Sequence, residues 1–437
     1  MLIFALALSW QACSRPGDEL AKLLNKEIAP LPEGLPQEYT DSYLEGLVPW
    51  ENYTLVGLGE ATHGTMDFFE LKQRIFRFLV EQHQCRVLAY EYSFRKSLLV
   101  NDYIHHKVDC LDSLFHADLW IQDNETLRQF IHWMREYNEG RDEQDQVSFI
   151  GIDNQVDAIM IDEVLEQIAS YLPDLELDQD MFSYNVRGKK EVKYEEMNEV
   201  EYKEIDYTFV QLKNQVEALA CAQTCPQAKS NAGIALQLIR SLQGSHRFLY
   251  LIYSEGTNIR DCQLADNVLR ILKTAYGEGP VAVWAHNAHV ANNPHYTPDG
   301  SPAMGWYLRD SLKQKYLSVA TSFSVGQFTA VMLDSAGNDT EPLTCGIIED
   351  PPRESLNALF HQARVPQFFL NIRDLDQDSQ LYHFFNAERP MIGVGDLYLG
   401  SPELHFTDDR IINLVQAHDL LFYFRDTRPL LSETLEL

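Results

Sequence analysis

Short apolar runs alternate with longer stretches of helical spacing along most of the chain. Four of the apolar runs, at 53–58, 86–90, 147–152 and 281–285, have the length of buried strands and end in polar residues. Between the first two runs, apolar side chains recur at helical spacing over 66–82. This alternation of strands and helices predicts an α/β fold with a mostly parallel sheet.

The middle of the chain is predicted to be mostly helical. Helical spacing covers 159–171, 209–221, 232–242 and 262–276, and strand-like runs return at 317–324, 329–333, 367–371 and 420–424. The range 189–206 is dense in charge and lacks a strong apolar face, which indicates a solvated helical segment or a lid. We therefore predict a single α/β domain over 46–430, with a central mostly parallel sheet, flanking helices and a helical insertion at about 155–280.

Residues 1–13 have the pattern of an export signal. The apolar run over 2–8 is too short to span a bilayer and resembles the core of a signal peptide. Ala12-Cys13 resembles the end of a lipobox, in which the cysteine becomes lipidated. The pattern predicts an exported lipoprotein, periplasmic or in the outer membrane, that is attached to the membrane through Cys13. Residues 14–45 are interpreted as a tether followed by an N-terminal helical segment.

Acidic side chains strongly outnumber basic ones. The chain of 437 residues has 65 Asp and Glu against 35 Lys and Arg, which gives a formal net charge of −30. Nucleic-acid binding and attachment through a polybasic surface both need clustered positive charge, so the composition argues against them. We expect a small-molecule partner instead.

Titratable side chains directly follow each of the four predicted strands. The first strand leads into Gly-Glu-Ala-Thr-His-Gly at 59–64, and the fourth leads into His-Asn-Ala-His at 286–289. The carboxyl ends of parallel strands meet at one edge of a sheet, where α/β proteins bind their ligands. We therefore expect one cluster, formed by Glu60, His63, Glu91, Asp153, His286 and His289.

His63 is the predicted general base of this cluster. Imidazole titrates near neutral pH, as a group that activates water should. Thr65 is a suitable N-cap for the helix that follows, and the positive end of that helix would keep the imidazole neutral. Glu60 and Glu91 are expected to orient the ring or the attacking water.

Two imidazoles and a basic residue complete the predicted catalytic set. His286 or His289 would protonate the leaving group or hydrogen-bond the developing oxyanion. Lys72 and Arg74 both lie on the first helix, and the sequence leaves open which of them supplies positive charge to the site.

Substrate contacts are predicted for His289, Asp153 and Asn287, and no metal ligand or cofactor is predicted. The chain has no Gly-x-Ser-x-Gly elbow, so activated water is a better candidate nucleophile than serine. Two alternatives stay open. One is a metal-dependent hydrolase that uses the same Glu/His cluster. The other is a lipid-anchored protein that binds a carbohydrate or haem-like ligand.

The motifs resemble the erythromycin esterase family, in its broad branch with Gly-Glu-Ala-Thr-His-Gly after the first strand. Basic residues follow at 72 and 74, a second Glu stands at 91, and Trp-Ala-His-Asn-Ala-His stands at 284–289. Arg260-Asp261 also looks familial, and the resemblance runs from about 55 to 425. It implies an α/β core with helical additions and metal-free hydrolysis of the macrolide lactone, which inactivates the antibiotic and confers macrolide resistance. His63 would be the base, assisted by Glu60, Glu91, a basic residue and a distal His.

Overall fold

The computed structural model describes most of the chain. The described residues are 16–111, 121, 123–155, 161–175, 193–222, 224–274, 279–295, 300–332, 343–348, 350–395, 397–399, 402–406 and 411–430. Cys13 and the predicted export signal lie outside these ranges, so export and lipidation stay predictions.

Strands are found in all the ranges where the sequence predicts them. The described strands are β1 (Ala29–Pro30), β2 (Leu55–Leu58), β3 (Val87–Ser93), β4 (Ser148–Asp153), β5 (Val281–Trp284), β6 (Tyr316–Phe323), β7 (Gly326–Met332), β8 (Leu343–Ile348), β9 (Gln367–Asn371), β10 (Arg389–Pro390), β11 (Leu397–Tyr398), β12 (Ile411–Ile412) and β13 (Leu420–Phe424).

Eight of these strands form the central sheet, in the order β1-β9-β13-β6-β2-β5-β3-β4. The strands from β13 to β4 in this order pair in parallel, whereas β9 is antiparallel to both β13 and β1. All residues of β2, β5, β6 and β13 are buried, as expected for a parallel sheet that is covered on both faces. The predicted α/β class with a mostly parallel sheet is thereby confirmed.

Helices cover the sheet and form the central insertion. They are α1 (Pro16–Glu27), α2 (Asp41–Glu45), α3 (Met66–His83), α4 (Phe94–Ile104), α5 (Glu125–Asn138), α6 (Ile161–Tyr171), α7 (Glu199–Ala222), α8 (Pro226–Glu255), α9 (Arg260–Thr274), α10 (Asn287–Val290), α11 (Met304–Leu312), α12 (Leu356–His361), α13 (Gln380–Phe385) and α14 (Leu414–Ala417). Among the described residues, no helix has the length and apolar content needed to cross a membrane.

The helical insertion has a hydrophobic core of its own. Apolar side chains of α6, α7 and α8 pack together there, which explains their helical spacing in the sequence. Of the charge-dense range 189–206, the structure describes 193–206, where most charged side chains are exposed. Within its described part, Tyr194 is buried, and its hydroxyl lies 2.8 Å from Nδ1 of His246 on α8.

Residues 16–45 contain the helices α1 and α2 and pack against the domain that follows. Strand β1 extends the central sheet through β9. Tyr39 and Leu44 are buried in the main hydrophobic core, and Leu24 of α1 packs against a second part of that core beneath α12 and α13. The reason is apolar burial, which the short and irregular pattern of this segment did not reveal in the sequence.

One predicted strand belongs to a different sheet. The run at 329–333 corresponds to β7, which pairs with β8 and β11 in a separate three-stranded sheet. This small sheet lies beside the loop that follows β2, since Thr329 donates its backbone N–H to the carbonyl of Gly64 at 2.9 Å.

Candidate active site

The sheet order brings the predicted polar strand ends together. Strands β2, β5, β3 and β4 are consecutive neighbours, and each pair is parallel. Their carboxyl ends therefore lie side by side at one edge of the sheet, where the residues that follow each strand can meet. The cluster described below is built on these four strand ends.

Glu60 and His63 form the centre of the cluster. Glu60 is 2% exposed, and its Oε1 lies 2.6 Å from Nδ1 of His63. With the proton on Nδ1, His63 donates to the carboxylate, and the lone pair is on Nε2. The loop that holds both residues is fixed by its backbone, because the Glu60 carbonyl accepts from the Asn287 N–H at 2.8 Å.

Lys72 supplies the positive charge beside Glu60, and Arg74 does not. Lys72 is 1% exposed and donates to Oε2 of Glu60, while its ammonium lies 4.1 Å from the centre of the Trp284 ring. Burial lowers the pKa of Lys72 to about 8, even though Glu60 acts in the opposite direction. Arg74 instead donates to the Tyr39 carbonyl and to Asp41, outside the cluster.

Thr65 precedes α3 as predicted, but its side chain does not cap the helix. Its hydroxyl lies 2.6 Å from the hydroxyl of Thr62, and the side chain makes no capping hydrogen bond. The two threonines brace the loop that carries His63. The start of α3 is held instead by Asp67, which accepts from the backbone and the guanidinium of Arg428.

Glu91 is an ionised carboxylate that holds neighbouring groups in place. Its Oε1 accepts from Arg260 Nη2 at 2.8 Å, and its Oε2 accepts from the backbone N–H of His286 at 2.9 Å. Burial by itself would raise the pKa of Glu91, but His289, Arg260 and His63 together hold that pKa well below its usual range. Oε2 thus fixes the end of β3 to the end of β5, and Oε1 fixes it to the start of α9.

Arg260 and Asp261 complete the buried network at the start of α9. Arg260 Nη2 donates to Asp153 at 2.7 Å as well as to Glu91. Burial opposes its charge, yet Asp153 and Glu91 raise the pKa of the Arg260 guanidinium well above its ordinary value. His289 Nδ1 lies 2.9 Å from both oxygens of Asp261, which fixes the orientation of its ring.

His289 therefore has protein partners on both ring nitrogens. Its Nε2 lies 3.1 Å from Arg260 Nη1 and 3.2 Å from Glu91 Oε1. A neutral ring accepts from Arg260 there, whereas an imidazolium donates to Glu91. His289 and Asp153, predicted to contact substrate, are thus held by protein groups in this structure.

His286 lies directly beside His63. The centres of the two rings are 5.3 Å apart. Nδ1 of His286 accepts from the backbone N–H of Ala288, which leaves Nε2 as the donor, and Nε2 lies 3.3 Å from the Ala61 carbonyl oxygen. This long hydrogen bond places a polarised N–H of His286 next to the predicted base.

Asn287 was predicted to bind substrate, but its side chain binds the backbone of β6. Its amide donates to the Thr321 carbonyl at 2.7 Å and accepts from the Thr321 N–H at 3.1 Å. Gly59 allows this contact, since a Cβ there would overlap Oδ1 of Asn287. A buried amide needs a hydrogen-bond partner at each of its polar ends, and here the backbone of Thr321 supplies both.

The charges of the cluster do not balance. Glu60, Glu91, Asp153 and Asp261 contribute four carboxylates, whereas Lys72 and Arg260 contribute two cations. With neutral imidazoles the formal charge of this group is about −2, which favours a positive charge that develops on a neighbouring ring. Within the described ranges, no three His, Cys, Asp or Glu side chains are arranged to hold a metal ion.

The profile of the erythromycin esterase family matches residues 80–427, which is most of this chain. The chain belongs to the erythromycin esterase family. The matched range begins after His63 and Lys72, so membership does not depend on these residues. It confirms the family that the motifs resemble, and it supports hydrolysis of an ester or lactone in general.

Individual relatives agree with this membership. The chain is 24% identical over 361 residues to erythromycin esterase type II of Escherichia coli, which covers 75% of this chain and 82% of that protein. Its fold is similar to that of a Bacillus cereus protein, with a TM-score of 0.74, 20% identity and coverage of 95% and 99% of the two chains. It is also similar to a mutant of the erythromycin esterase EreC in its open conformation, with a TM-score of 0.65, 16% identity and coverage of 90% and 96%.

Gly64 is required by the packing of this erythromycin esterase family member. Its carbonyl accepts from the N–H groups of Thr329 at 2.9 Å and Leu430 at 2.8 Å. A Cβ at position 64 would overlap the carbonyl group of Thr329 on β7. The residue after the predicted base therefore has no space for a side chain unless the small sheet moves.

We expect Gly64→Ala to destabilise the protein by about 1–3 kcal/mol, because the added methyl group forces the backbone of β7 away. Urea unfolding would measure the change. Gly233→Ala is the matched control, since a Cβ at this position of α8 meets nothing within 4 Å. The control should gain about 0.5–1 kcal/mol from helix propensity. Equal stability of Gly64→Ala and the unsubstituted protein would contradict the packing described here.

Arg260 and Asp261 were not predicted as site residues, although both belong to the cluster. In the sequence this pair is only one of the motifs that resemble the family, because it precedes a predicted helix and does not follow a predicted strand. A charged pair at the start of a helix is ordinarily interpreted as exposed to solvent. Asp261 is only 2% exposed, which distinguishes it from a solvated helix end. This burial cannot be seen without the fold.

Proposed function

We propose that this protein hydrolyses a carboxylic ester or lactone with water activated by His63. The observation that carries the proposal is the 2.6 Å contact between Nδ1 of His63 and Oε1 of Glu60, which leaves Nε2 as the basic nitrogen. His63 is partly exposed while Glu60 is buried, so the ring is accessible and its carboxylate partner is not. This is the arrangement of an oriented general base.

The first step is the transfer of a proton from water to Nε2 of His63 as the water oxygen attacks the carbonyl carbon. The resulting imidazolium is stabilised by ionised Glu60, which Lys72 holds in place through the other carboxylate oxygen. The negative surroundings provided by Glu91 also favour the imidazolium. His63 then returns the proton to the leaving alkoxide, which completes hydrolysis without a covalent intermediate.

We assign the stabilisation of the oxyanion to His286. Its ring is adjacent to His63, and its Nε2–H donates to the Ala61 carbonyl in a long hydrogen bond of 3.3 Å, so a donor is already present beside the predicted base. His289, Asp153 and Arg260 are assigned a positioning role, because they contact one another and Glu91.

The charge of the cluster restricts the substrate. A formal charge of about −2 disfavours a carboxylate or phosphate next to the scissile bond, so we propose that the substrate is neutral or cationic there. The Escherichia coli relative is named an erythromycin esterase. A macrolide lactone is therefore the first substrate to test. We also propose export and lipidation at Cys13 from the N-terminal pattern alone.

The test is a panel of neutral, cationic and anionic esters and lactones that includes erythromycin, with and without a chelator. We expect neutral or cationic members to be hydrolysed, anionic ones to react far more slowly, and the chelator to have no effect. Loss of activity on chelation, together with metal in the purified protein, would favour the metal-dependent alternative. Binding without hydrolysis of any member would favour a ligand-binding protein.

A further inference from the structure

A polar cavity is lined mainly by side chains of α7, α8 and α9. It has a volume of about 440 Å³, within the usual range for a small-molecule site. The charged and aromatic side chains around it are Arg240, Arg247, Arg270, Asp206, Asp266 and Tyr202. None of the proposed catalytic groups lines it.

Hydrogen bonds between different elements fix the walls of this arginine cavity. Gln243 on α8 donates to Asp206 on α7 at 2.8 Å, and Gln263 on α9 donates to the Gly244 carbonyl on α8 at 2.9 Å. Asn267 on α9 donates to the Ile152 carbonyl of β4 at 2.8 Å. The cavity is therefore formed by tertiary contacts of the fold and not by loose surface side chains.

The three arginines of the cavity lack the partners that other arginines of the protein have. Within the described ranges, the guanidiniums of Arg240, Arg247 and Arg270 make no hydrogen bond or ion pair with the protein. Arg260 and Arg428, in contrast, each contact two carboxylates. Burial and the neighbouring Arg270 both lower the pKa of Arg240, and Glu217 acts in the opposite direction.

This local excess of positive charge occurs in a chain of net charge −30. Guanidinium groups bind carboxylate and phosphate oxygens through paired N–H donors. Asp206 and Asp266 reduce the excess to a single positive charge, and their carboxylates can accept hydrogen bonds from hydroxyl groups. The lining thus combines donors for one oxyanion with acceptors for hydroxyls.

We propose that the arginine cavity binds a small hydroxylated oxyanion, either a sugar acid or a sugar phosphate. The oxyanion lies between Arg240 and Arg270, and hydroxyl groups donate to Asp206 or Asp266. The site is separate from the hydrolytic one, so the proposal does not depend on the proposed function.

Calorimetric titration of the full chain tests this site with four probes: glucuronate, glucose 6-phosphate, glucose and inorganic phosphate. We expect one or both anionic sugars to bind at least about tenfold more tightly than glucose and than phosphate, because each charged hydrogen bond contributes to affinity. The tighter of the two anionic sugars identifies the oxyanion as carboxylate or phosphate.

Variants locate the binding in the cavity. Arg240→Gln combined with Arg270→Gln should weaken the anionic sugar at least about tenfold, while Arg353→Gln, which removes an exposed arginine elsewhere, should have no effect. Asp206→Asn should weaken the sugar but not inorganic phosphate, and it serves as the test if the double variant does not fold. His63→Ala should bind normally.

Three results would overturn the proposal. They are the absence of binding by both anionic sugars, equal binding of glucose, and unchanged affinity in folded arginine and Asp206 variants. Phosphate that binds as tightly as glucose 6-phosphate would also count against it, because the cavity would then not recognise hydroxyl groups.

Discussion

His63→Ala should lose about 10²–10⁴-fold in the rate of ester hydrolysis, because this is the usual contribution of a positioned general base. The loss should appear in kcat, because the adjacent His286 accepts from the Ala288 N–H at Nδ1 and carries its own proton on Nε2, so it is not placed to act as the base. Steady-state kinetics on the best ester of the panel would measure it. Circular dichroism should show an unchanged fold, because the His63 ring is partly exposed.

A second His–Glu pair provides the matched control. His83 lies at the end of α3, and its Nε2 is 2.9 Å from Oε2 of Glu45 at the protein surface. His83→Ala removes an imidazole with the same kind of partner but should leave hydrolysis unchanged. A folded His63→Ala protein with full activity would refute the proposed mechanism, and a similar loss in both variants would show that the effect is not specific to the cluster.

Hydrolysis should decline as the pH rises through about 8, the value to which burial lowers the pKa of Lys72. Below this pH the ammonium is charged and holds Glu60. Above it the amine is neutral, and Glu60 loses the cation that fixes its second oxygen. Lys72→Arg should remove this alkaline limit up to at least about pH 10, because arginine stays protonated throughout. A pH–rate profile of both proteins would show the difference.

Protein stability should follow the opposite trend in this pH window. The pKa of Lys72 is lower in the folded state, so between about 8 and 10.5 the unfolded chain binds the extra proton. The contribution of Lys72 to the free energy of unfolding therefore increases with pH and is lost as the pH falls through about 8. If activity falls with rising pH while thermal stability does not, the loss of activity is caused by deprotonation of Lys72 and not by unfolding.

Lys72→Met is the complementary variant. It removes the cation of a buried ion pair with Glu60, which typically costs about 3–5 kcal/mol of stability. If Lys72→Met folds, it should be nearly inactive at every pH. If the activity of Lys72→Arg declines at the same pH as that of the unsubstituted protein, a group other than Lys72 causes the decline.

Much of the site could be predicted from the order of strands and polar residues. Glu60, His63, Glu91 and His286 each stand at the end of an apolar strand, and parallel pairing then places them at one sheet edge. The prediction needed only the period of the pattern and the direction of the strands. The family could be recognised for the same reason, since each of its motifs is a short stretch of neighbouring residues.

The choice between Lys72 and Arg74 was beyond the sequence. They are two positions apart on α3, so their side chains point about 200° apart around the helix axis. The helix rotation places Lys72 against Glu60 and turns Arg74 towards Asp41. That rotation is set by the packing of α3 on the sheet, to which many distant apolar residues contribute.

The sequence by itself thus determined the α/β class, the sheet edge at which the Glu/His cluster lies and the pair Glu60–His63, because these follow from patterns of neighbouring residues. The tertiary structure alone decided that Arg260 and Asp261 enter the cluster, that Asn287 binds β6, and that three arginines meet around one cavity. Each of these contacts joins residues from different elements of the fold. Their meeting depends on sheet order and helix packing, which local periodicity does not encode.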